Sequence, residues 1–97
     1  MADLIVPTVH LNGTAKDVLV QQLFDAVEKL DAAIGAMCQA APHPRDYYPQ
    51  DPGNPSAPEP WRKATTAHSR RVAAVDGVRM ELRHIAEAII VSKTHNI

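Results

Sequence analysis

Residues 42–60, PHPRDYYPQDPGNPSAPEP, contain seven of the eight prolines in this 97-residue chain. Each proline removes a backbone hydrogen-bond donor and fixes φ, so neither a long helix nor a central strand can cross this segment. On both sides of it, apolar side chains recur three and four positions apart, which is the spacing of an amphipathic helix. The sequence therefore predicts two helices joined by a proline-rich connector.

The first helix is predicted over residues 14–41. Thr14 precedes the apolar pattern and Asp17 follows three residues later, an approximate capping box in which aspartate replaces the usual glutamate. The apolar positions alternate in steps of three and four, which predicts a coiled-coil-type seam along one side of the helix. These positions are Val20, Leu23, Val27, Leu30, Ile34, Met37 and Ala41.

The second helix is predicted over residues 57–94. Ser56 and Glu59 form a second capping box, and the prolines around them are tolerated in the first turn of a helix. The predicted seam positions are Trp61, Ala64, His68, Arg71, Val75, Val78, Leu82, Ile85, Ile89 and Ser92. This register puts His68 and Arg71 on a buried stripe, where polar groups need hydrogen-bonding partners.

Two long helices joined in this way most simply fold back as an antiparallel hairpin. Before them, residues 1–13 are apolar and β-branched but interrupted by Pro7, which favours an extended arm. A single domain of residues 1–97 with this shape has a small core, so a partner subunit is expected. We therefore predict an all-α hairpin with a short extended N-terminal arm that assembles into an oligomeric helical bundle. The arm or a neighbouring subunit should pack at the open end, where the apolar surface is widest.

Charge and composition exclude several classes of protein. Ten basic residues nearly balance eleven acidic ones, which argues against a general nucleic-acid or membrane-surface binder. Cys38 is the only cysteine, so no intrachain disulfide can form, and we expect it to pack in the core. The first residues lack the basic start of a secretion signal and the long apolar run of a membrane span. We expect a cytoplasmic location, no cofactor and no metal.

Aromatic and cationic side chains are concentrated in the connector and at the start of the second helix. Tyrosine offers a flat stacking face and arginine offers a fork of donors that matches phosphate, so together they suit a nucleotide-like ligand. The candidate ligand-binding residues are His43, Arg45, Tyr47, Tyr48, Gln50, Trp61, His68, Arg70 and Arg71, with Arg62 and Lys63 nearby. The helix start adds its positive dipole end. Asn12 and Thr14 form a second anion-friendly helix start, supplied by a neighbouring subunit if hairpins pack head to tail.

A structural interpretation stands beside the ligand-binding one. The two connector tyrosines can instead pin the connector onto Trp61 and the helix ends. His68 and Arg71 can reach the rim of the hairpin or bond acidic groups of the connector. The HLNGT stretch can be no more than a turn and a helix cap. The sequence leaves both interpretations open.

Signals of an enzyme are weak, and we predict a non-enzymatic protein. Glu81 and His84 have the three-residue spacing of di-iron helix bundles, which requires both side chains to point inward. His84 falls between Leu82 and Ile85 on the outward side of the seam, so this metal site is not expected. No phosphate-binding glycine loop and no metal-ligand spacing occurs in the sequence.

The stretches VHLNGT and RDYYPQ, set around two alanine-rich helices, resemble a group of small proteins encoded by bacteriophages and prophages. In architecture, a small oligomeric hairpin with an aromatic and basic tip is similar to the viral sponge proteins that sequester nucleotide signals of bacterial immunity. The resemblance implies capture of a cyclic nucleotide or cyclic ADP-ribose-type signal in the host bacterial cytoplasm, without turnover. The alternatives are a phage protein–protein interaction module and a DNA-associated regulator that uses the arginines from Arg62 to Arg83.

Overall fold

A computed structural model describes residues 3–95 and shows two long helices, α1 over Lys16–Gln39 and α2 over Glu59–Val91. Two short 3₁₀ turns, Pro44–Asp46 and Tyr48–Gln50, lie between them. The start of α1 lies beside the end of α2, because the Lys16 ammonium donates to the Ser92 carbonyl at 2.6 Å. The predicted all-α class and the antiparallel hairpin are therefore confirmed. The first two residues of the predicted arm lie outside the described residues.

The seam predicted on α1 is confirmed along the helix. Val27 is buried, and the other five predicted positions inside the helix are half-buried. Ala41 is exposed instead, because α1 ends at Gln39 and Ala41 lies beyond the last turn. Apolar side chains at every third or fourth position thus place α1 against α2, as expected for a coiled-coil-like pair.

The seam predicted on α2 is wrong at two of its ten positions, and at each of them the residue that faces α1 is the next one along the chain. The positions that face α1 include Val72, Arg79 and Ala86, whereas Arg71 and Val78 are exposed. Arg79 is accommodated because its guanidinium lies 3.4 Å from Asp31 of α1. Ala86 is fully buried, and its small side chain lets the two helices approach closely.

Both predicted capping residues are also wrong, and both helices are shorter than predicted. Thr14 and Ser56 cap neither helix, because α1 begins after Ala15 and α2 begins after Pro58. The first amide of α2, on Glu59, donates instead to the Asp51 carboxylate at 3.1 Å. A carboxylate eight residues upstream thus takes the place of the expected local cap.

We expect Asp51→Ala to destabilise the fold by about 1 kcal/mol, because removal of an N-terminal capping side chain typically costs 0.5–2 kcal/mol. Urea unfolding followed by circular dichroism would measure this loss. Asp46→Ala in the same connector is the matched control, since Asp46 is exposed and makes no side-chain hydrogen bond within residues 3–95. Equal losses for the two variants would contradict the role of Asp51 as a cap.

The N-terminal arm packs at the open end of the hairpin, one of the two possibilities expected there. Val9 is only 3% exposed, and its carbonyl accepts a 2.6 Å hydrogen bond from the His95 amide. The chain then turns at Gly13, whose amide donates to the His10 carbonyl. The His10 ring lies so close to Gly13 that an added Cβ would stand 2.7 Å from Nε2.

Gly13→Ala should therefore destabilise the fold by about 1 kcal/mol, because the added methyl group displaces the His10 ring from its place beside Gly13. The expected result is a lower midpoint in urea unfolding. Gly35→Ala is the matched control, because no atom lies within 4 Å of its added Cβ, and alanine is favoured by about 1 kcal/mol in a helix. A Gly13→Ala variant as stable as the parent would show that the arm moves away from His10.

The hairpin is long and thin, measuring 69 × 23 × 16 Å with a radius of gyration of 20.3 Å. A compact chain of this length would have a radius of gyration of about 12.5 Å. Its accessible surface is 6858 Å², against about 5,500 Å² for a compact protein of this mass. Besides Pro58, the buried apolar residues among residues 3–95 are Val9, Val27, Ala86 and Ile89. One hairpin therefore leaves a large share of its surface uncovered.

Candidate ligand-binding site at the closed end

The connector is fixed to the hairpin at its closed end, where α1 ends and α2 begins. The Trp61 indole N–H donates to the Pro42 carbonyl at 3.0 Å, which holds the first residue of the connector against α2. The bond from Glu59 to Asp51 holds its second half. These two contacts give the connector a defined path across the helix ends, despite its lack of a long regular element.

Local turns place the two tyrosines in different surroundings. His43 Nδ1 accepts a 3.1 Å hydrogen bond from the Arg45 amide and so caps the first 3₁₀ turn. The Tyr47 amide donates to the Pro44 carbonyl at 2.9 Å, and Tyr47 is half-buried between the two turns. Tyr48 starts the second turn and is 48% exposed. The ring of Tyr48 is therefore available for stacking, whereas Tyr47 is half-buried.

A cationic depression lies on the outer side of the first turns of α2. It has a volume of about 500 Å³ and is lined by Glu59, Arg62, Lys63, Thr66, Ala67 and Arg70. The Lys63 ammonium lies 3.3 Å from the Glu59 carboxylate, so its charge is partly neutralised. Within residues 3–95, no carboxylate lies within ion-pair distance of Arg62 or Arg70. These two guanidinium groups are exposed and can donate hydrogen bonds to an anionic ligand.

The connector residues do not line this depression. All six of its lining residues belong to α2, and none comes from the RDYYPQ stretch. The exposed groups of Arg45, Tyr48 and Gln50 lie on the connector side of the same end. The closed end thus carries two neighbouring groups of candidate residues rather than one continuous pocket.

His68 and Arg71, predicted to share the buried stripe, lie in different environments. His68 Nε2 is 2.8 Å from the Met37 carbonyl, so it carries the hydrogen and donates to the end of α1. Arg71 is exposed, because the true seam position is Val72. It lies about 100° around the helix from Arg70 and is not among the residues that line the cationic depression. His68 joins the helices, and Arg71 belongs to another surface.

A second depression, of about 420 Å³, lies between the helices near the same end. Its lining residues are Ile34, Cys38, Ala41, His68, Ser69, Val72, Ala73 and Asp76. The prediction that Cys38 packs in the core is wrong, because it follows the seam residue Met37 and turns outward. The small side chains of Ser69 and Ala73 leave the groove open on the α2 side.

Sequence reasoning missed a group of charges in the middle of the hairpin. Arg79 donates to the Asp76 carboxylate at 2.8 Å and also lies beside Asp31 of α1. The hydrogen bond to Asp76 raises the pKa of the Arg79 guanidinium, against the effect of burial, and the charges of Asp76 and Asp31 raise it further. Arg79 therefore stays charged and joins the helices. The three-residue spacing from Asp76 was a signal in the sequence, but Asp31 could not be found from it.

The remaining predicted residues lie far from the connector. Asn12 and Thr14 stand at the open end, about 36 Å away along α1, so they cannot complete a closed-end site within one chain. His84 is exposed, as predicted from its position beside the seam. Across residues 3–95, no group of three or more histidine, cysteine or acidic side chains is arranged to hold a metal ion.

Two further findings concern the whole described chain. Neither α1 nor α2 has a segment apolar enough and long enough to cross a lipid bilayer. Comparison with known proteins found no matching family model, no matching curated protein and no matching solved structure.

Proposed function

We propose that this protein is a non-enzymatic binding protein that sequesters a small phosphorylated ligand at the closed end of the hairpin. One observation carries the proposal: the exposed guanidinium groups of Arg62 and Arg70 have no carboxylate partner within residues 3–95, and the exposed Tyr48 ring stands at the same end. The hydrogen bonds that fix the connector support it, because a fixed site loses less entropy on binding.

The chemistry of these groups favours a ligand with both a ring and a phosphate. A guanidinium donates two parallel hydrogen bonds to phosphate, and an exposed aromatic face stacks on a planar base. The amino end of α2 itself is not part of the site, because the Asp51 carboxylate already occupies the first amide. The anion would therefore bind the side chains along the outer face of α2 rather than the helix terminus.

In this proposal the ligand is a cyclic nucleotide or cyclic ADP-ribose-type immune signal, and its capture by a phage-encoded protein counters host antiviral defence in the bacterial cytoplasm. This choice of ligand follows the resemblance expected from the sequence, in which a small hairpin with an aromatic and basic tip is similar to viral sponge proteins. Self-association is part of the proposal, and the surplus surface of the isolated hairpin supports it. A subunit from a second hairpin would also bring Asn12 and Thr14 near a closed end if hairpins pack head to tail.

The test is a thermal-shift screen of the purified protein against cyclic di- and trinucleotides, cyclic ADP-ribose isomers, linear nucleotides and duplex DNA. A ligand at 100 times its Kd stabilises the folded state by about 2.7 kcal/mol, which raises the Tm of a chain of this size by roughly 10 °C or more. We expect such a shift with one class of cyclic nucleotide. A shift with duplex DNA that falls steeply with salt would favour the DNA-associated regulator. No response to any of these compounds would favour the protein–protein interaction module.

A further inference from the structure

A second regular stripe runs along α2 beside the side that packs on α1. Its members are Ala67, Arg71, Ala74, Val78, Glu81, Ile85 and Ala88, spaced alternately four and three residues apart. This spacing is that of a coiled-coil seam, and the stripe lies roughly 100° around the helix from the side that packs on α1. Val78, at its centre, is 51% exposed. Arg71, Ala74 and Val78, in the middle of the stripe, are exposed, and the other four members are half-buried. This exposed middle part is the surface that a partner would cover.

We propose that this stripe, from Ala67 to Ala88, binds the same stripe of a second copy in antiparallel orientation. The two-fold axis passes between the two helices at the level of position 76. The inference rests on the self-association proposed above and names its surface. A two-fold interface must be self-complementary, so that each residue contacts a different position of the other copy. In the stripe, small side chains lie opposite large ones and a cation lies opposite an anion, so the condition is met.

Three pairs of positions are symmetric about position 76. Arg71 lies opposite Glu81 of the second copy, which pairs opposite charges twice in the dimer. Ala74 lies opposite Val78, and Ala67 lies opposite Ile85. Each layer therefore joins a small side chain with a large one or a cation with an anion, which is the complementarity that packed helix interfaces require.

The two charged residues of the stripe, Arg71 and Glu81, form no ion pair within residues 3–95 of one hairpin. Among residues 3–95, no carboxylate lies within ion-pair distance of Arg71, and no cationic group lies within that distance of Glu81. Other charged residues of α2 do pair locally, such as Arg83 with Glu87 and Lys63 with Glu59. Arg71 and Glu81 are ten residues apart on one helix and can meet only across two copies.

Gly77 is a second, independent indication. A glycine in the middle of a 33-residue helix costs about 1 kcal/mol relative to alanine. No atom of the hairpin lies within 4 Å of a Cβ added at this position, so packing within one chain does not require glycine. Gly77 lies one position from the proposed axis, at the edge of the stripe beside Ala74 and Glu81, so its missing side chain leaves room there for the second copy.

The available area is sufficient for such a dimer. The stripe spans 21 residue steps, or about 30 Å of helix. The hairpin exposes about 1,400 Å² more than a compact protein of its mass, whereas a stable interface buries about 800 Å² per partner. One antiparallel pair of α2 helices can therefore cover much of the surplus.

The first test is charge reversal, read out as the dimer Kd in sedimentation equilibrium. Arg71→Glu and Glu81→Arg each place like charges opposite one another, so each should weaken the dimer at least roughly tenfold. The double variant Arg71→Glu/Glu81→Arg restores both pairs and should return the Kd to near the parent value. Arg83→Glu, on the same helix but outside the stripe, is the matched control. Circular dichroism would confirm that every variant remains helical.

The second test is cross-linking in a Cys38→Ser background. Gly77→Cys should form a disulfide-linked dimer on mild oxidation, because position 77 lies within one residue of the axis in both copies. Val91→Cys reports on the exposed apolar residues at the open end and should cross-link poorly. A dimer that resists both charge reversals, or that cross-links only through Val91→Cys, would overturn the proposed surface while leaving self-association intact. A monomeric parent protein would overturn self-association itself, independently of the thermal-shift result.

Discussion

Ile89→Ala should destabilise the hairpin by about 2–5 kcal/mol, the cost of removing a large buried aliphatic side chain. Ile89 is fully buried near the open end, and few apolar side chains among residues 3–95 are buried. A domain of this size is stable by only about 5–15 kcal/mol, so the loss is a large part of the total. Urea unfolding followed by circular dichroism, at one fixed protein concentration, would measure it.

Ile90 is a matched control for this prediction. It is the same residue type, one position along the same helix, and it is 47% exposed. We expect Ile90→Ala to cost less than about 1 kcal/mol, in line with substitutions outside the core. If Ile90→Ala were as costly as Ile89→Ala, the open end would be covered by another subunit, and the inward side of α2 would have to be assigned again.

Much of the hairpin was predictable because α1 carries large apolar residues at each seam position and at few others. The prolines of the connector fixed the break between helices for a local chemical reason. The seam of α2 was not predictable in the same way. Val78 is more apolar than its neighbour Arg79, yet Arg79 faces inward because Asp31 of the other helix pairs with it. Which residue of α2 faces inward is set here by an ion pair with the other helix, and this pair cannot be recognised from the neighbouring residues in sequence.

The candidate site shows the same limit. The aromatic and cationic residues were correctly expected at one end of the molecule. This followed from the order of the elements, because the connector and the start of α2 are adjacent in sequence and lie together at the closed end of a hairpin. It did not reveal that the cap of α2 comes from Asp51, or that His68 is engaged by the Met37 carbonyl. Both contacts join segments distant in sequence, so their geometry depends on the path of the connector. The exposure of Arg71 was also not predicted, because Val72 rather than Arg71 faces α1.

Arg62→Ala/Arg70→Ala should abolish the thermal shift produced by the phosphorylated ligand. A hydrogen bond to a charged group contributes about 1.5–3 kcal/mol, so loss of both guanidinium groups should weaken binding by at least roughly 100-fold. Neither side chain has an ion-pair partner within residues 3–95, so the free protein should keep its helicity and its unliganded Tm. Isothermal titration calorimetry with the compound that shifts the parent protein most would measure the change in Kd.

Arg83→Ala is the control that separates a specific site from general attraction of an anion. Arg83 is also exposed on α2, but it lies near Glu87 and far from the connector. Its removal lowers the net charge by one without touching the closed end, so the Kd should change less than about threefold. Tyr48→Ala should weaken binding of a nucleotide but not of inorganic pyrophosphate, because stacking by an aromatic side chain requires a base. Equal effects of Arg83→Ala and of the closed-end variants would mean that the ligand responds to overall charge alone, and the proposed site would be refuted.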